Sequence, residues 1–254
     1  MKASPGYLAA HRCHDVPHLL RRWQAVARAA RLECHPVCES GGHPVLFLHR
    51  ADAPGARFYL SAGVHGDEPG AVMGLLEWAE ASTSLLRRIP VAIFPLFNPA
   101  GLALNTRTDH RHTDLNRCFH LPRHPHIRAW RSAIRGMTFT AGICLHEDYD
   151  AQGIYCYELN KDARRPVAHT LLSPCESIIP REPRRLIDGR RATAGVIRRR
   201  RVPDVPGLPE AIALYGTHTP LTLTFETPSE FSLHDRARAH HAFLNAALHH
   251  LLGG

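Results

Sequence analysis

The sequence predicts a single-domain α/β fold over residues 1–254, and two observations support this prediction. Nearly continuous apolar runs, typical of strands buried on both faces of a sheet, recur along most of the chain. Between them lie segments in which apolar residues repeat every three or four positions, as they do on one face of a helix. Strands that alternate with helices in this way indicate a central sheet covered by helices on both faces.

The first part of the chain predicts a helix followed by two strands. Residues 16–32 read as a helix, because their apolar residues recur at helical spacing and Pro17 stands near the start. Two strands are predicted next, at 44–49 and 57–65, with a turn over 50–56 between them.

A second helix is predicted over 69–82, since Pro69 suits a first helical turn and the following apolar residues share one face. The chain ends in another predicted helix, over 232–252, with a leucine-rich face. The remaining strand candidates lie at 90–101, 137–146, 153–159 and 220–228.

The composition is that of an ordinary globular protein, with 44% hydrophobic and 21% charged residues among 254. No stretch approaches the roughly 18 uncharged apolar residues that a membrane helix needs. The first residues lack the apolar core of a secretory signal. We therefore expect a cytoplasmic protein that does not contact a membrane. The seven scattered cysteines do not suggest a disulfide framework.

The formal net charge of +8, with histidines counted as neutral, favours anionic partners such as nucleic acid, acidic lipid or a small carboxylate. Much of it lies in residues 181–201, which predict a basic, exposed loop or hairpin outside the main pattern. Nucleic-acid binding is not favoured, because this stretch has no interleaved aromatic residues to stack on bases. It is either a solvated loop or a source of arginines that rim a cleft and attract acidic substrates.

Side chains able to bind a metal or move a proton follow the predicted core strands. His65 and Glu68 come after one strand, His146 after another, and Glu226 near the end of a third, while Asn98 follows the apolar residues AIFPLF at 92–97. Ligands of open α/β sheets bind beyond the carboxyl ends of the strands. Two imidazoles and a carboxylate make a three-ligand zinc site with one position left open for water. A separate base must then move the proton of that water, and Glu226 is the candidate.

Taken singly, each of these residues has a plainer interpretation. A histidine at a strand end is most often a surface or core residue, and among 20 histidines the spacing H-x-x-E arises by chance. Glu147 and Asp148 either orient the neighbouring His146 or face solvent. Cys34 and Cys38, in the stretch CHPVC, resemble half of a metal site, but the sequence offers no second pair of suitable spacing.

At these positions the sequence resembles the zinc carboxypeptidase superfamily. The spacing H-x-x-E is a weak signal, whereas N-P-x-G followed by D-L-N-R in this order is a specific one. The resemblance implies a zinc carboxypeptidase-like fold with a mixed, mostly parallel central sheet. It rests on HGDE at 65–68, NPAGLALNTR at 98–107, DLNR at 114–117, CLHED at 144–148 and LTFETP at 223–228.

The resemblance implies roles for individual residues around one Zn²⁺ per chain. His65, Glu68 and His146 would hold the ion, Glu226 would act as general base and acid, and Arg107 would stabilise the oxyanion of the intermediate.

The resemblance also implies a substrate with a free carboxylate. Asn116 and Arg117 would bind that group, and a guanidinium fork suits a carboxylate better than an ammonium does. Any of Tyr155, Tyr157 and Tyr215, or none of them, could be the family's substrate-capping tyrosine.

The predicted function is therefore a zinc hydrolase that cleaves an amide bond next to a free carboxylate in a small peptide. The short chain and the HGDE form also resemble the succinylglutamate desuccinylase and aspartoacylase branch, so an N-acyl amino acid deacylase is the alternative. Two classes from outside this chemistry stay open. A non-catalytic binding module would bind no zinc, and a nucleic-acid-binding protein would use the arginines of 181–201.

Overall fold

The fold is built on an eight-stranded mixed sheet. The computed structural model describes residues 12–50, 57–162 and 164–253. The strands are β1 (Glu33–Ser40), β2 (His43–Arg50), β3 (Phe58–Ala62), β4 (Val91–Phe94), β5 (Ala141–Asp148), β6 (Tyr155–Asn160), β7 (Leu186–Ile187), β8 (Arg190–Arg191), β9 (Val196–Arg199) and β10 (Leu221–Pro228). The helices are α1 (Val16–Ala30), α2 (Pro69–Ala81), α3 (Thr83–Leu86), α4 (Pro99–Leu104), α5 (Pro125–Ala133), α6 (Ala168–Leu172), α7 (Glu210–Thr217) and α8 (Leu233–Leu251), with 3₁₀ turns at Leu115–Arg117 and Ser173–Cys175.

The strand order of the main sheet is β1-β2-β4-β3-β5-β10-β6-β9. The four central strands β4, β3, β5 and β10 are parallel to one another, while β1, β2 and β6 pair antiparallel with their inner neighbours. The carboxyl ends of the four central strands therefore meet at one edge of the sheet, where open α/β sheets bind their ligands. This arrangement confirms the predicted mixed, mostly parallel α/β fold.

Helices cover both faces of the sheet, as the sequence predicts. On one face, α1, α2 and α8 bury large side chains such as Trp23, Trp78 and Phe243 in a common apolar cluster. On the other face, α5 and α7 contribute Trp130 and Leu214 to a second cluster. Burying side chains of this size stabilises the fold by roughly 1.5–3 kcal/mol each, so both faces contribute to its stability. None of the described helices is long and apolar enough to cross a membrane.

Several predicted elements have different bounds in the structure. The apolar run at 90–101 divides into β4 and α4, and Asn98 caps α4 by accepting a 3.0 Å hydrogen bond from the Gly101 N–H. Asn98 is thus a helix cap. The run at 137–146 forms a strand only from Ala141 onward. The predicted turn at 50–56 falls largely on residues 51–56, which lie outside the described residues.

Several features were not predicted from the sequence, among them three that frame the main sheet. Strand β1 is an edge strand, largely polar and interrupted by a register shift between Pro36 and Cys38, so it lacks the apolar run of a buried strand. Helix α5 is short and its apolar face is narrow. The basic stretch contains the predicted hairpin, formed by β7 and β8, but it also supplies β9, which pairs with β6 at the edge of the main sheet.

The buried imidazole of His240 on α8 makes the free energy of unfolding depend on pH. This fully buried imidazole lies 3.1 Å from the Thr227 hydroxyl, and burial is the main reason that its pKa falls to about 3, although Glu68 partly opposes the shift. An unfolded histidine has a pKa of about 6.5. Below that pH the unfolded chain therefore takes up a proton that the folded chain does not. We expect the His240 contribution to cost about 3 kcal/mol of stability between pH 7 and pH 4.

Urea unfolding at these two pH values measures the effect. The loss of unfolding free energy on acidification should be smaller in His240→Gln than in the wild type, whereas the exposed His249→Gln variant should behave like the wild type. Equal acid sensitivity of His240→Gln and the wild type would contradict the assignment.

Candidate active site

The turn between β3 and α2 presents His65 and Glu68 to each other. Glu68 is the N-cap residue of α2, yet its side chain makes no capping hydrogen bond within the described part of the chain. Its Oε1 instead lies 2.5 Å from His65 Nδ1. Both side chains are about 3% exposed, so this polar pair is removed from water at the carboxyl end of a core strand.

His146 completes the group from the neighbouring strand β5. Its Nδ1 lies 3.0 Å from Glu68 Oε2, and the centroids of its ring and that of His65 are 5.2 Å apart. One ligand atom from each of His65, Glu68 and His146 lies within 4.8 Å of the other two, and all three residues are buried. The structure thus brings together the three residues that the sequence predicts as metal ligands.

The chemistry of this group fits a cation. Glu68 Oε2 is buried, and no described residue completes a well-directed hydrogen bond to it, although His146 Nδ1 is near. Burial alone would raise the pKa of Glu68, but His65 and His146 hold it below its usual range, so the carboxylate is ionised. A buried anion with an unsatisfied oxygen between two imidazoles is a donor set that suits zinc.

Asp114 supports this group, a role that the sequence analysis did not assign. Its Oδ1 lies 3.2 Å from His65 Nε2, and its Oδ2 accepts a 3.0 Å hydrogen bond from Arg107 Nε. Because this contact uses Nε2, the other ring nitrogen of His65, Nδ1, is the one available to bind a metal ion. Carboxylates commonly orient metal-binding histidines in this way, so the position of Asp114 in the D-L-N-R motif, 49 residues from His65, could have signalled the role.

Glu226 lies on β10 between the strands that carry His146 and Tyr155, and it is in register with both. Paired residues of adjacent strands point to the same face, so these three side chains share one face of the sheet. Burial raises the pKa of Glu226 to about 8, and the carboxylates of Glu68, Asp148 and Asp188 add to the shift against the opposing effect of His146. Glu226 is therefore a carboxyl group whose pKa lies within the range useful for proton transfer.

A cavity of about 870 Å³ opens at this edge of the sheet, large enough for a small peptide. All nine predicted site residues line it: His65, Glu68, Arg107, Asn116, Arg117, His146, Tyr155, Tyr157 and Glu226. Tyr215, the third tyrosine candidate, lies elsewhere, with its buried ring in a small apolar cluster and its hydroxyl donating to Arg200 O at 2.7 Å.

Asn116 and Arg117 occupy the wall of the cavity on the 3₁₀ turn after Asp114. Asn116 Oδ1 accepts a 2.9 Å hydrogen bond from the Glu210 N–H at the start of α7, which fixes the amide. The Glu210 carboxylate is buried and accepts hydrogen bonds from Tyr59 and Ser61 on β3. This connection ties the Asn116 segment to the same strand that leads into His65.

The two cavity tyrosines are each held by a carboxylate. Tyr155 donates its hydroxyl proton to Asp148 at 2.9 Å, and Tyr157 donates to Asp188 at 2.5 Å. Burial raises the pKa of both phenols above their ordinary value, so both hydroxyl groups stay protonated at neutral pH.

The basic stretch contributes to the cavity as well as to the surface. Asp188, Arg190 and Arg199 line the same cavity as His65, Glu68 and His146. The interpretation that some of these arginines rim a cleft therefore agrees with their position, whereas a purely solvated loop does not describe this stretch.

The carboxylates after His146 differ from each other. Glu147 does not face solvent: it accepts a 2.9 Å hydrogen bond from the Ala71 N–H on α2 and pairs with Arg236 on α8, and burial raises its pKa to about 7. Asp148 is half-buried and accepts the Tyr155 hydroxyl. Glu147 thus joins two helices beside the site.

Cys34 and Cys38 lie on β1, away from the cavity. Both are free thiols, and burial raises the pKa of Cys38 to about 11, which keeps it protonated at neutral pH. Within the described residues, the groups able to hold a metal contain no cysteine.

Comparisons with known proteins agree with this geometry. Residues 54–133 match the family model of the succinylglutamate desuccinylase/aspartoacylase catalytic domain, a range that includes His65, Glu68, Arg107, Asn116 and Arg117. A search of curated proteins finds no match.

Several solved structures share the fold. A protein from Shewanella amazonensis, named as a candidate metallopeptidase, superposes with a TM-score of 0.83 at 20% identity over 95% of each chain. A metallo-carboxypeptidase from Burkholderia cenocepacia superposes with a TM-score of 0.67 at 17% identity, covering 91% of this chain and 67% of that one. A metallo-carboxypeptidase from Pseudomonas aeruginosa gives a TM-score of 0.58 at 17% identity, over 91% and 69% of the two chains. The fold that the sequence resemblance implied is thereby confirmed.

Proposed function

We propose that this chain, which has the zinc carboxypeptidase-like fold, is a zinc-dependent hydrolase that cleaves an amide bond next to the free carboxylate of a small peptide. The observation that carries the proposal is the buried group of His65, Glu68 and His146, with Glu226 in register with His146 on the wall of the same cavity. The names of the structural neighbours, two of them metallo-carboxypeptidases, support the same reaction.

The ligand residues are prepared for a divalent ion by their surroundings. Asp114 would accept a hydrogen bond from His65 Nε2–H, and this tautomer leaves the lone pair of Nδ1 on the side of Glu68, available to the ion. When bound there, Zn²⁺ supplies a Lewis acid for the scissile carbonyl and acidifies a water molecule.

Glu226 moves the protons of the reaction. Its carboxylate takes a proton from the attacking water and then gives it to the leaving amine, so the group ends each cycle in the state in which it began. The Arg107 side chain, oriented through its Nε by Asp114, directs positive charge to the cavity and stabilises the negative oxygen that develops on the carbonyl.

Asn116 and Arg117 select the substrate by its free carboxylate. The guanidinium of Arg117 is exposed on the cavity wall, and Asn116 is fixed by its bond from the Glu210 N–H. An arginine binds a carboxylate through two parallel hydrogen bonds, which orients the substrate as well as holding it. The Pseudomonas aeruginosa structure contains (2-guanidinoethylmercapto)succinic acid, a compound with two carboxylates.

A second candidate function is the hydrolysis of N-acyl amino acids, and the match of residues 54–133 to the succinylglutamate desuccinylase/aspartoacylase domain favours it. The metal chemistry would be the same in both. The candidates differ in which side of the scissile bond the cavity recognises.

A substrate panel tests the proposal and separates the candidates. The purified protein is assayed with N-blocked dipeptides and tripeptides, with the same peptides carrying a C-terminal amide, and with succinyl and acetyl amino acids. We expect cleavage of the free-acid peptides, and rates about 10- to 100-fold lower for the amides, because each hydrogen bond to a charged group is worth about 1.5–3 kcal/mol. Activity should disappear with a chelator and return with Zn²⁺.

Each outcome of the panel has a definite meaning. Cleavage of the N-acyl amino acids alone would replace the peptidase by the deacylase. Equal rates for acids and amides would refute the carboxylate-binding role of Asn116 and Arg117. Full activity in the chelated protein, after metal analysis shows that the chelator has removed its zinc, would refute the metal dependence.

A further inference from the structure

A second group of metal-binding side chains lies outside the cavity. Asp109 stands in the loop between α4 and the 3₁₀ turn, His124 is the N-cap residue of α5, and His126 lies in its first turn. One ligand atom of each lies within 4.8 Å of the other two. The loop and the helix start are 15 residues apart along the chain, so their meeting is a product of the tertiary fold.

The polar atoms of this group lack partners. Asp109 Oδ2, both ring nitrogens of His124 and His126 Nε2 are buried, and no hydrogen bond reaches them from the described residues. Asp109 and His126 are each only 2% exposed. Buried polar atoms are nearly always paired, and an unpaired one costs about 1–3 kcal/mol. Four such atoms at one place indicate a bound partner.

The arrangement around Asp109 leaves one of its oxygens available. Its Oδ1 accepts hydrogen bonds from the N–H groups of Arg111 and Thr113, at 2.9 and 3.0 Å, so the carboxylate is held in a fixed position by its own loop. Its Oδ2 lies 3.6 Å from His124 Nε2. That separation is too long for a hydrogen bond but close to the roughly 3.3 Å between two ligands of a tetrahedral zinc ion.

We propose that Asp109, His124 and His126 bind a second divalent ion of the zinc type, distinct from the one expected in the cavity. Two imidazoles and a carboxylate form a ligand set that zinc favours, and a water molecule or a nearby side chain can supply the fourth position.

The proposed ion has a structural role. It would join the 105–114 loop to the start of α5. That loop carries Asp114, which contacts His65, and Arg107, which donates a hydrogen bond to Asp114. An ion at this place would therefore restrain the loop behind the active site while lying outside the cavity itself.

The test counts tightly bound ions in a protein whose cavity site has been removed. Wild type, His146→Ala and the double variants His146→Ala/Asp109→Asn and His146→Ala/His126→Asn are loaded with Co²⁺, dialysed, and examined by elemental analysis and visible absorption. We expect two ions per chain in the wild type, one in His146→Ala with the intense bands of a tetrahedral Co²⁺ site, and none in the double variants. Asp109→Asn retains the oxygen that accepts the two loop N–H groups, so it preserves the loop.

Two controls make the count specific. His35→Asn removes a histidine from the largely exposed Glu33–His35–His49 group and should leave the ion of the His146→Ala protein in place. Glu68→Gln gives a second background without the cavity site. The proposal is overturned if neither background retains an ion after dialysis, or if the ion survives in both double variants. Because the count is made without catalysis, it is independent of whether the proposed hydrolase activity is found.

Discussion

Replacing Glu226 with Gln is expected to lower kcat by about 100- to 10,000-fold, the usual contribution of a general acid–base group. Glutamine has nearly the shape of glutamate but cannot exchange a proton. The cavity, the register with His146 and the ligands themselves should stay as they are. The loss should therefore appear in kcat, with little change in KM, since the free carboxylate of the substrate is bound by other residues.

Steady-state kinetics with the best peptide of the panel, together with metal analysis, measures this effect. The matched control is Glu230→Gln, an exposed carboxylate two residues after the end of β10, which should retain wild-type kinetics. A Glu226→Gln variant that keeps more than about a tenth of the wild-type kcat, with its metal intact, would show that another group moves the proton.

The metal-binding histidines and Glu226 could be predicted from the sequence because their positions are set by the ends of core strands. His65, His146 and Glu226 each stand at or just after an apolar run, and parallel strands deliver such positions to one edge of the sheet whatever the loops do. The separations of 81 and 80 residues between them carry no information by themselves. The prediction that these residues meet came from the strand pattern and from the order of the motifs.

The strand pattern did not predict the supporting groups, because loop conformation places them. Asp114 reaches His65 only through the shape of the 105–114 loop, and Asp109 reaches His126 through the way that loop packs on α5. Neither carboxylate follows an apolar run. Tyr215 was a candidate because of its sequence position near Glu226. It lies on a helix, is buried in a small apolar cluster, and is not among the residues that line the cavity.

The basic stretch shows how charge composition can conceal structure. Residues 181–201 read as an exposed excursion because arginines outnumber apolar residues. Yet Val196 and Ile197 are buried and bring β9 into register with β6, and Arg199 then reaches the cavity. A short edge strand needs only one or two buried side chains, too few to produce a periodic signal.

Replacing Gly66 with Ala is expected to destabilise the protein by about 3 kcal/mol or more, at the upper end of the cost of overpacking. Gly66 follows the ligand His65 and rests directly on the backbone of α4. A Cβ atom there would lie 1.9 Å from the carbonyl carbon of Gly101 and 2.3 Å from the Leu102 nitrogen. Backbone atoms cannot rotate away as a flexible side chain can, so either the turn or the helix must shift.

The shift would act on the active site as well as on stability. The Gly66 N–H donates a 3.0 Å hydrogen bond to Thr106 O, which joins the ligand turn to the segment that carries Arg107. Displacing the turn moves His65 and Glu68 relative to His146. We therefore expect the cavity site to lose at least about tenfold in affinity for Zn²⁺, since even perturbing the outer partners of metal ligands commonly costs 10- to 100-fold.

Thermal unfolding and Zn²⁺ titration of Gly66→Ala measure both effects, and the melting temperature should fall by about 6–12 °C for a chain of this size. The matched control is Gly216→Ala on the exposed side of α7, where a Cβ meets no described atom within 4 Å. Alanine at a helical position of that kind should be neutral or stabilise by up to about 1 kcal/mol. A Gly66→Ala protein that melts and binds zinc like the wild type would mean that the turn and α4 do not touch as described, and the placement of His65 and Glu68 would lose its support.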